Sequence, residues 1–76
     1  MSEQTPAQQA GWAVGDRGVV TAEGGSVCEP GSIVEFYQDD GDSIPLFRLI
    51  EGDTPFRCCD GEPGAYLHLN SVERQP

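Results

Sequence analysis

The sequence predicts an all-β fold in one small domain. From Trp12 onward, apolar runs of about four to six residues alternate with clusters of Gly, Pro, Asp and Ser. Ten glycines and six prolines in 76 residues leave no uninterrupted stretch of average helix length. A chain this short holds one hydrophobic core, which excludes two-lobed enzymes and doubly wound nucleotide-binding sheets.

The N-terminal residues 1–11 lack the apolar periodicity of the rest of the chain. They contain three glutamines, Pro6 and small residues. Because such a segment buries too little apolar surface to offset its ordering entropy, we expect a disordered leader over 1–11 and the folded domain over 12–76.

The first strand is predicted over residues 17–22 and is entered through a Gly-Asp turn at 14–16. Residues 23–31 follow as a long loop, because their glycines and Pro30 oppose regular strand pairing.

The clearest strand signal covers residues 32–38, where side chains alternate between two faces. Asp39-Asp40-Gly41-Asp42 then predicts a hairpin turn, because Asp and Gly tolerate the positive φ that such turns need. The partner strand is predicted over 44–50, with Pro45 indicating a strand start or an edge.

Three further segments complete the expected all-β fold. Short strands are predicted over 56–59 and 65–69, separated by turns at 51–55 and 60–64. Residues 70–74 are predicted to form a single capped helical turn, with Asn70 or Ser71 as its cap.

Strand alternation also assigns side chains to faces. Val34, Phe36 and Leu67 are expected in the core, and Trp12 is expected to pack over one end of the domain. The outward face is predicted to carry four ring-bearing side chains, namely Tyr37, Phe47, Tyr66 and His68.

Three segments and their spacing resemble small SH3-like barrels: VGDRGVV at 14–20, GSIVEF at 31–36 and LNSVER at 69–74. The resemblance covers about residues 12–75 and implies a five-stranded barrel that closes with a short C-terminal 3-10 turn. Peptide-binding members begin with Ala-Leu-Tyr-Asp-Tyr and carry a Trp-Trp or Trp-Lys pair in the third strand, and this sequence has neither. Proline-rich ligands are therefore not expected.

The net charge indicates which kinds of partner the protein can bind. Four arginines, no lysine and thirteen acidic residues give a net charge of −9. Nucleic acid and anionic membrane surfaces are therefore not expected partners, whereas a basic protein surface is. Alternatively, the charge only keeps the protein soluble. The acidity also resembles that of the bacterial and phage antirepressors and adaptors with this fold, which implies carboxylates placed where a repressor expects phosphates.

The candidate partner-binding carboxylates lie on the 32–38 strand and on two turns. They are Glu35, Asp39, Asp40, Asp42, Glu51 and Asp53. Carboxylates in a row can pair with arginines of a DNA-binding protein, and the outward rings would supply apolar anchors beside them. The alternative is that Asp and Glu occupy solvated turns for backbone reasons, and that the rings close the core.

No metal, cofactor or catalytic group is expected. Cys28, Cys58, Cys59 and His68 have the chemistry of zinc ligands, but adjacent cysteines on a strand point to opposite faces, and Cys-x-x-Cys is absent. Reduced thiols are the expectation, with a Cys28 disulfide to one of the pair as the alternative. The Asp39–Asp42 run lacks the order of a calcium loop. One histidine without an adjacent nucleophile does not predict catalysis.

The sequence thus predicts a non-enzymatic cytoplasmic protein, since it contains neither a membrane span nor a signal peptide. The expected function is an antirepressor or inhibitor that mimics nucleic acid and blocks a DNA-binding protein. The alternative is an accessory subunit that docks on a larger enzyme or complex. We expect a monomer or a dimer paired through edge strands.

Overall fold

A computed structural model describes residues 3–25, 27–58 and 61–75, and they form mostly β-sheet. Five antiparallel strands make one sheet in the order β4-β3-β2-β1-β5. The strands are β1 (Arg17–Val20), β2 (Ile33–Gln38), β3 (Leu46–Glu51), β4 (Gly64–Tyr66) and β5 (Val72–Arg74). In the described part of the chain, the 3-10 turns Ala22–Gly24 and Leu69–Ser71 lie between strands. The predicted β-rich fold is confirmed.

The identity of the fifth strand differs from the prediction. Residues 56–58 contribute only an isolated bridge between Arg57 and Pro63, and Cys59 lies outside the described residues. The fifth strand is β5, where a helical turn over 70–74 was expected. The 3-10 turn stops at Ser71 because Val72, Glu73 and Arg74 pair with β1.

The cap of the C-terminal turn also differs from the prediction, which named Asn70 or Ser71. His68 is the N-cap residue, and its Nδ1 accepts a hydrogen bond from the Asn70 N–H at 3.1 Å.

The segment expected as a disordered leader has structure in the described residues. Pro6–Gln9 forms a helical turn, α1, with a capping box between Thr5 and Gln8. Ala7 is fully buried in the core, and its carbonyl accepts a hydrogen bond from the Trp12 N–H at 2.9 Å. The cap satisfies backbone donors and Ala7 adds core contacts, so together they oppose the ordering entropy.

Three aromatic rings form the centre of the core. Trp12 stacks on Phe36 with centroids 5.8 Å apart, and Phe47 meets both rings edge-on at 5.3 and 5.6 Å. Val34 and Leu67 are also buried, as predicted. The core thus joins the leader, the β2–β3 hairpin and the segment after β4.

The β2–β3 hairpin fixes the two ends of the sheet. Gln38 pairs with Leu46 beside the connecting loop 39–45, and Ile33 pairs with Glu51 at the opposite end. Gly41 has φ of 86° in this loop, which agrees with the predicted Asp-Gly turn. Among the described residues, none of the helices is long and apolar enough to cross a membrane.

Candidate protein-binding surfaces

The loop between β2 and β3 carries three aspartates, Asp39, Asp40 and Asp42, and we call it the acidic loop. Asp39 accepts hydrogen bonds from Thr5 Oγ1 at 2.5 Å and from the Gly41 N–H at 2.9 Å. Its carboxylate therefore shapes the loop and also ties it to the N-terminal segment.

The other two aspartates are also oriented by local hydrogen bonds. Asp42 accepts from the Ile44 N–H at 2.9 Å, and Asp40 accepts from Gln38 Nε2 at 3.1 Å. Asp40 and Asp42 are exposed, so their carboxylates reach solvent. Part of the acidity thus has the backbone role that the alternative interpretation expected.

The ion pairs of the described residues do not compensate the negative charge of the acidic loop. Arg48 bonds to Glu35 at 2.8 Å and contacts Glu62 at 3.5 Å. Arg74 lies 3.7 Å from Asp16. Hydrogen bonding and charge attraction from Glu35 raise the pKa of Arg48 above its ordinary value. No ion pair among the described residues includes an aspartate of the acidic loop.

Exposed apolar side chains lie on both sides of the three aspartates. Tyr37 precedes the aspartates with 38 % of its surface exposed, and Ile44 follows them within the loop with 44 % exposed. Val14, 69 % exposed, lies nearby because the Gly15 N–H donates to the Phe36 carbonyl at 2.9 Å. This end of the sheet therefore combines uncompensated carboxylates with apolar surface.

The six predicted carboxylates do not form one cluster. Glu51 and Asp53 lie at the opposite end of the hairpin, roughly 16 Å from the acidic loop at the usual rise per strand residue. Glu35 lies in mid-strand and pairs with Arg48. Only the three aspartates of the acidic loop share a location.

The predicted place of Phe47 on the outward face is wrong, because this side chain is fully buried. Phe47 pairs with Phe36 across β2 and β3, and cross-strand partners share a face. Tyr37, Tyr66 and His68 are exposed. Tyr66 lies on β4 and pairs with Leu46. His68 lies between Leu67 and Leu69, whose N–H groups donate to the carbonyls of Pro45 and Ser43 at the end of the acidic loop.

A second surface, which the sequence reasoning missed, is an apolar groove of about 400 Å³ beside β4. We call it the β4 groove. Phe56 and Tyr66 are 47 % and 58 % exposed. Its lining includes Val27, Leu46, Phe56, Arg57, Ala65 and Tyr66. The strand predicted over 56–59 gave no indication that Phe56 is exposed. The separation of Phe56 from Tyr66 in the sequence does not indicate that both line one groove.

Two of the three cysteines, Cys28 and Cys58, lie in the described part of the chain. Cys28 is buried and Cys58 is partly buried. Burial raises the pKa of Cys28, partly opposed by a hydrogen bond with Thr54. Cys59 lies outside the described residues. Within residues 3–25, 27–58 and 61–75, no three His, Cys, Asp or Glu side chains are grouped to hold a metal ion.

Comparison of the chain with family models, curated proteins and solved structures finds no match. Charge, burial and geometry therefore carry the inference of function.

Proposed function

We propose that this protein is a non-enzymatic binding module that docks on a basic protein surface through its acidic loop. One observation carries the proposal: three uncompensated aspartates lie within four residues, bordered by exposed Tyr37 and Ile44. Charged rims around apolar anchors are typical of protein interfaces, where charge steers the encounter and the buried rings supply affinity.

The finer form of the proposal is an antirepressor or inhibitor that mimics nucleic acid. Arginine and lysine side chains of DNA-binding proteins form charge-assisted hydrogen bonds to phosphate oxygens, and carboxylates accept the same bonds. The hydrogen bonds to Asp39 and Asp42 hold these side chains in place before a partner arrives. Less side-chain entropy is then lost on binding.

We also propose that the sheet curls into an SH3-like barrel whose edge strands, β4 and β5, do not pair with each other in the described residues. Tyr66 ends β4 level with Gln38, while Val72 starts β5 level with Ser32. In a flat sheet these ends would lie ~27 Å apart, from four strand spacings and a six-residue offset. Six extended residues span at most ~22 Å, and a 3-10 turn shortens that reach. Strong curling of the sheet supports the proposal.

An accessory subunit that docks on a larger enzyme or complex is the second candidate. The exposed rings of Phe56 and Tyr66 beside the β4 groove favour it, because contiguous apolar surface marks interaction sites. Such docking depends on apolar burial and so changes little with salt, whereas the acidic loop acts through charges that salt screens.

The deciding experiment immobilises the full chain and captures proteins from a lysate of the source organism at low salt. A nucleic-acid mimic is expected to retain a DNA-binding protein that duplex DNA displaces and that moderate sodium chloride releases. Replacing the three aspartates of the acidic loop with asparagine abolishes capture. Asparagine keeps one of the two oxygens, so the bonds from the Gly41 and Ile44 N–H groups are retained. At position 39 the amide NH2 replaces the second oxygen and can donate to Thr5 Oγ1.

The matched control removes the same charge from the opposite end, as Glu29→Gln, Glu51→Gln and Asp53→Asn together. Both triple variants have a net charge of −6, calculated as −9 + 3. Equal loss in both would reduce the effect to overall charge and contradict a defined site. A partner that DNA does not displace and that stays bound at high salt would favour the accessory subunit.

A further inference from the structure

The strand β4 lies at one edge of the sheet, and part of its backbone points away from the sheet. The Leu67 N–H donates to the Pro45 carbonyl, and the Leu49 N–H donates to the Pro63 carbonyl. Ala65 and Phe47, which lie between them, are therefore the hydrogen-bonded pair. Since bonding direction alternates along a strand, the N–H and C=O of Tyr66 face outward.

The neighbouring segment occupies only the first part of this edge. The Gly64 N–H donates to the Phe56 carbonyl at 3.3 Å, and Arg57 bridges to Pro63. Beyond Gly64, Tyr66 has no backbone hydrogen-bond partner among the described residues. The edge is thus open where the β4 groove begins.

The β4 groove follows this edge and not one face of the sheet. Its lining includes Ala65, which faces the core, and Tyr66, which faces outward from the next position. Side chains at successive strand positions point to opposite faces, so a groove that touches both must run along the edge between them. An extended chain lying there can bond to Tyr66 and place alternate side chains in the groove.

The charge in the groove is opposite to that of the whole protein. Arg57 is the charged residue of the lining, and it is exposed. It takes part in none of the ion pairs among the described residues, which use Arg48 and Arg74. A carboxylate in contact with Arg57 is attracted locally, while more distant acidic residues are screened over about 8–10 Å at physiological salt.

We propose that the β4 groove binds an extended segment of a partner protein. The segment pairs its backbone with Tyr66, places an apolar side chain between Phe56 and Tyr66, and sets an Asp or Glu side chain against Arg57. This is addition of a strand to a free sheet edge, with apolar pockets and one charge for specificity. The site does not depend on the acidic loop. A second copy is disfavoured as the occupant, because two chains of net charge −9 repel each other.

The test uses the full chain and a phage-displayed library of random linear peptides. Enriched peptides are expected to alternate apolar residues and to carry Asp or Glu, and synthetic copies are then titrated by amide NMR. Binding should shift the Tyr66 amide and slow its hydrogen exchange. The same peptides with N-methylated backbones should not bind, since methylation removes the donors that strand pairing needs.

Arg57→Glu and Arg17→Glu form a matched pair of variants, since both arginines are exposed and both changes lower the net charge equally. Arg57→Glu should weaken peptide binding by about tenfold, because one attraction becomes a repulsion, whereas Arg17→Glu should leave it nearly unchanged.

Four results would overturn the proposal: no enrichment, basic peptides that require the acidic loop, equal effects of the two variants, or a dimer that protects Tyr66 without peptide. If only the binding of basic partners to the acidic loop fails, the proposed function is contradicted and the proposal for the β4 groove is not.

Discussion

The indole of Trp12 lies nearly parallel to the ring of Phe36, with centroids 5.8 Å apart and an interplanar angle of 22°. Trp12 precedes β1 in the chain, yet only 6 % of its surface is exposed. The ring of Phe47 also contacts the indole and meets it edge-on, at an interplanar angle of 79°. These are the arrangements that aromatic pairs prefer, and they make the segment before β1 part of the core.

The first prediction concerns this aromatic contact. Trp12→Ala should lower the free energy of unfolding by about 3–5 kcal/mol, because it removes a large buried ring and leaves a cavity. A small domain has only about 5–15 kcal/mol of stability, so the variant should unfold at a much lower urea concentration. Far-ultraviolet circular dichroism provides the measurement, since the tryptophan signal is lost with the residue.

Val14→Ala is the control for this prediction, because Val14 lies two residues away and is 69 % exposed. It should change the stability by no more than about 0.5 kcal/mol. If both variants unfold at the same urea concentration, Trp12 does not pack in the core.

The second prediction concerns the N-terminal helical turn. Thr5 Oγ1 accepts from the Gln8 N–H at 3.2 Å and donates to Asp39. Thr5→Ala removes both bonds and should destabilise the turn by about 1 kcal/mol, whereas Thr5→Ser keeps the hydroxyl and the cap. Heteronuclear NOE values should fall over Pro6–Gln9 in the alanine variant only. Low values over this turn in the unaltered protein would contradict this prediction and support the expected disordered leader.

The sequence predicted the β-rich fold and the central hairpin because their signals are local. Alternation over 32–38 and the Asp-Gly turn match β2 and its loop to within one residue at the strand start. The last strand was missed because β5 has only three residues, and its pairing with Val20 joins positions far apart in sequence. No local pattern encodes such a contact.

The candidate site was only partly predictable for a related reason. Alternation separates the two faces of β3 but does not tell which face is inside, and both Leu46 and Phe47 are buried. The cross-strand register decides, and a shift of one residue exchanges the faces. For the same reason, the sequence does not show that Glu51 lies at the opposite end of the hairpin from the acidic loop. Phe56 and Tyr66 both line the β4 groove, and no local pattern in the sequence indicates that the fold brings them there.

The third prediction concerns the close approach of β5 to β1. A Cβ atom on Gly18 would lie 2.6 Å from Val72 Cγ1, 2.7 Å from the Trp12 ring and 2.9 Å from the Glu73 carbonyl oxygen. Gly18→Ala should therefore destabilise the fold by about 1–3 kcal/mol through overpacking. Thermal unfolding measures the effect.

Gly41 separates steric from conformational causes, because its φ is 86° and, apart from its two chain neighbours, no described residue lies within 4 Å of the added Cβ. Gly41→Ala should cost about 1–2 kcal/mol from the backbone alone, and Gly41→Asn should recover part of it. Gly18→Asn should instead be worse than Gly18→Ala. Recovery at Gly18 would argue against the close contact.

The last prediction concerns Cys28, which is 2 % exposed and whose pKa burial raises above its ordinary value of 9.0. The thiolate is the reactive form, so both burial and pKa protect this thiol. Iodoacetamide at pH 8 should modify Cys28 only as fast as the protein unfolds, and urea should accelerate the reaction sharply. Mass spectrometry can follow it, because Cys28 is the one cysteine in the tryptic fragment 18–48.

The same shift gives stability a defined pH dependence. The folded state binds the Cys28 proton more tightly than the unfolded state, so the resulting stability is fully present below pH 9 and is lost as pH rises through the folded-state pKa. Cys28→Ala cannot ionise and should lose less stability than the unaltered protein between pH 8 and pH 10. Subtracting the two urea-unfolding curves cancels the tyrosines and every other shared titration. Parallel pH profiles would mean that the Cys28 thiolate is as well solvated in the folded protein as in the unfolded chain.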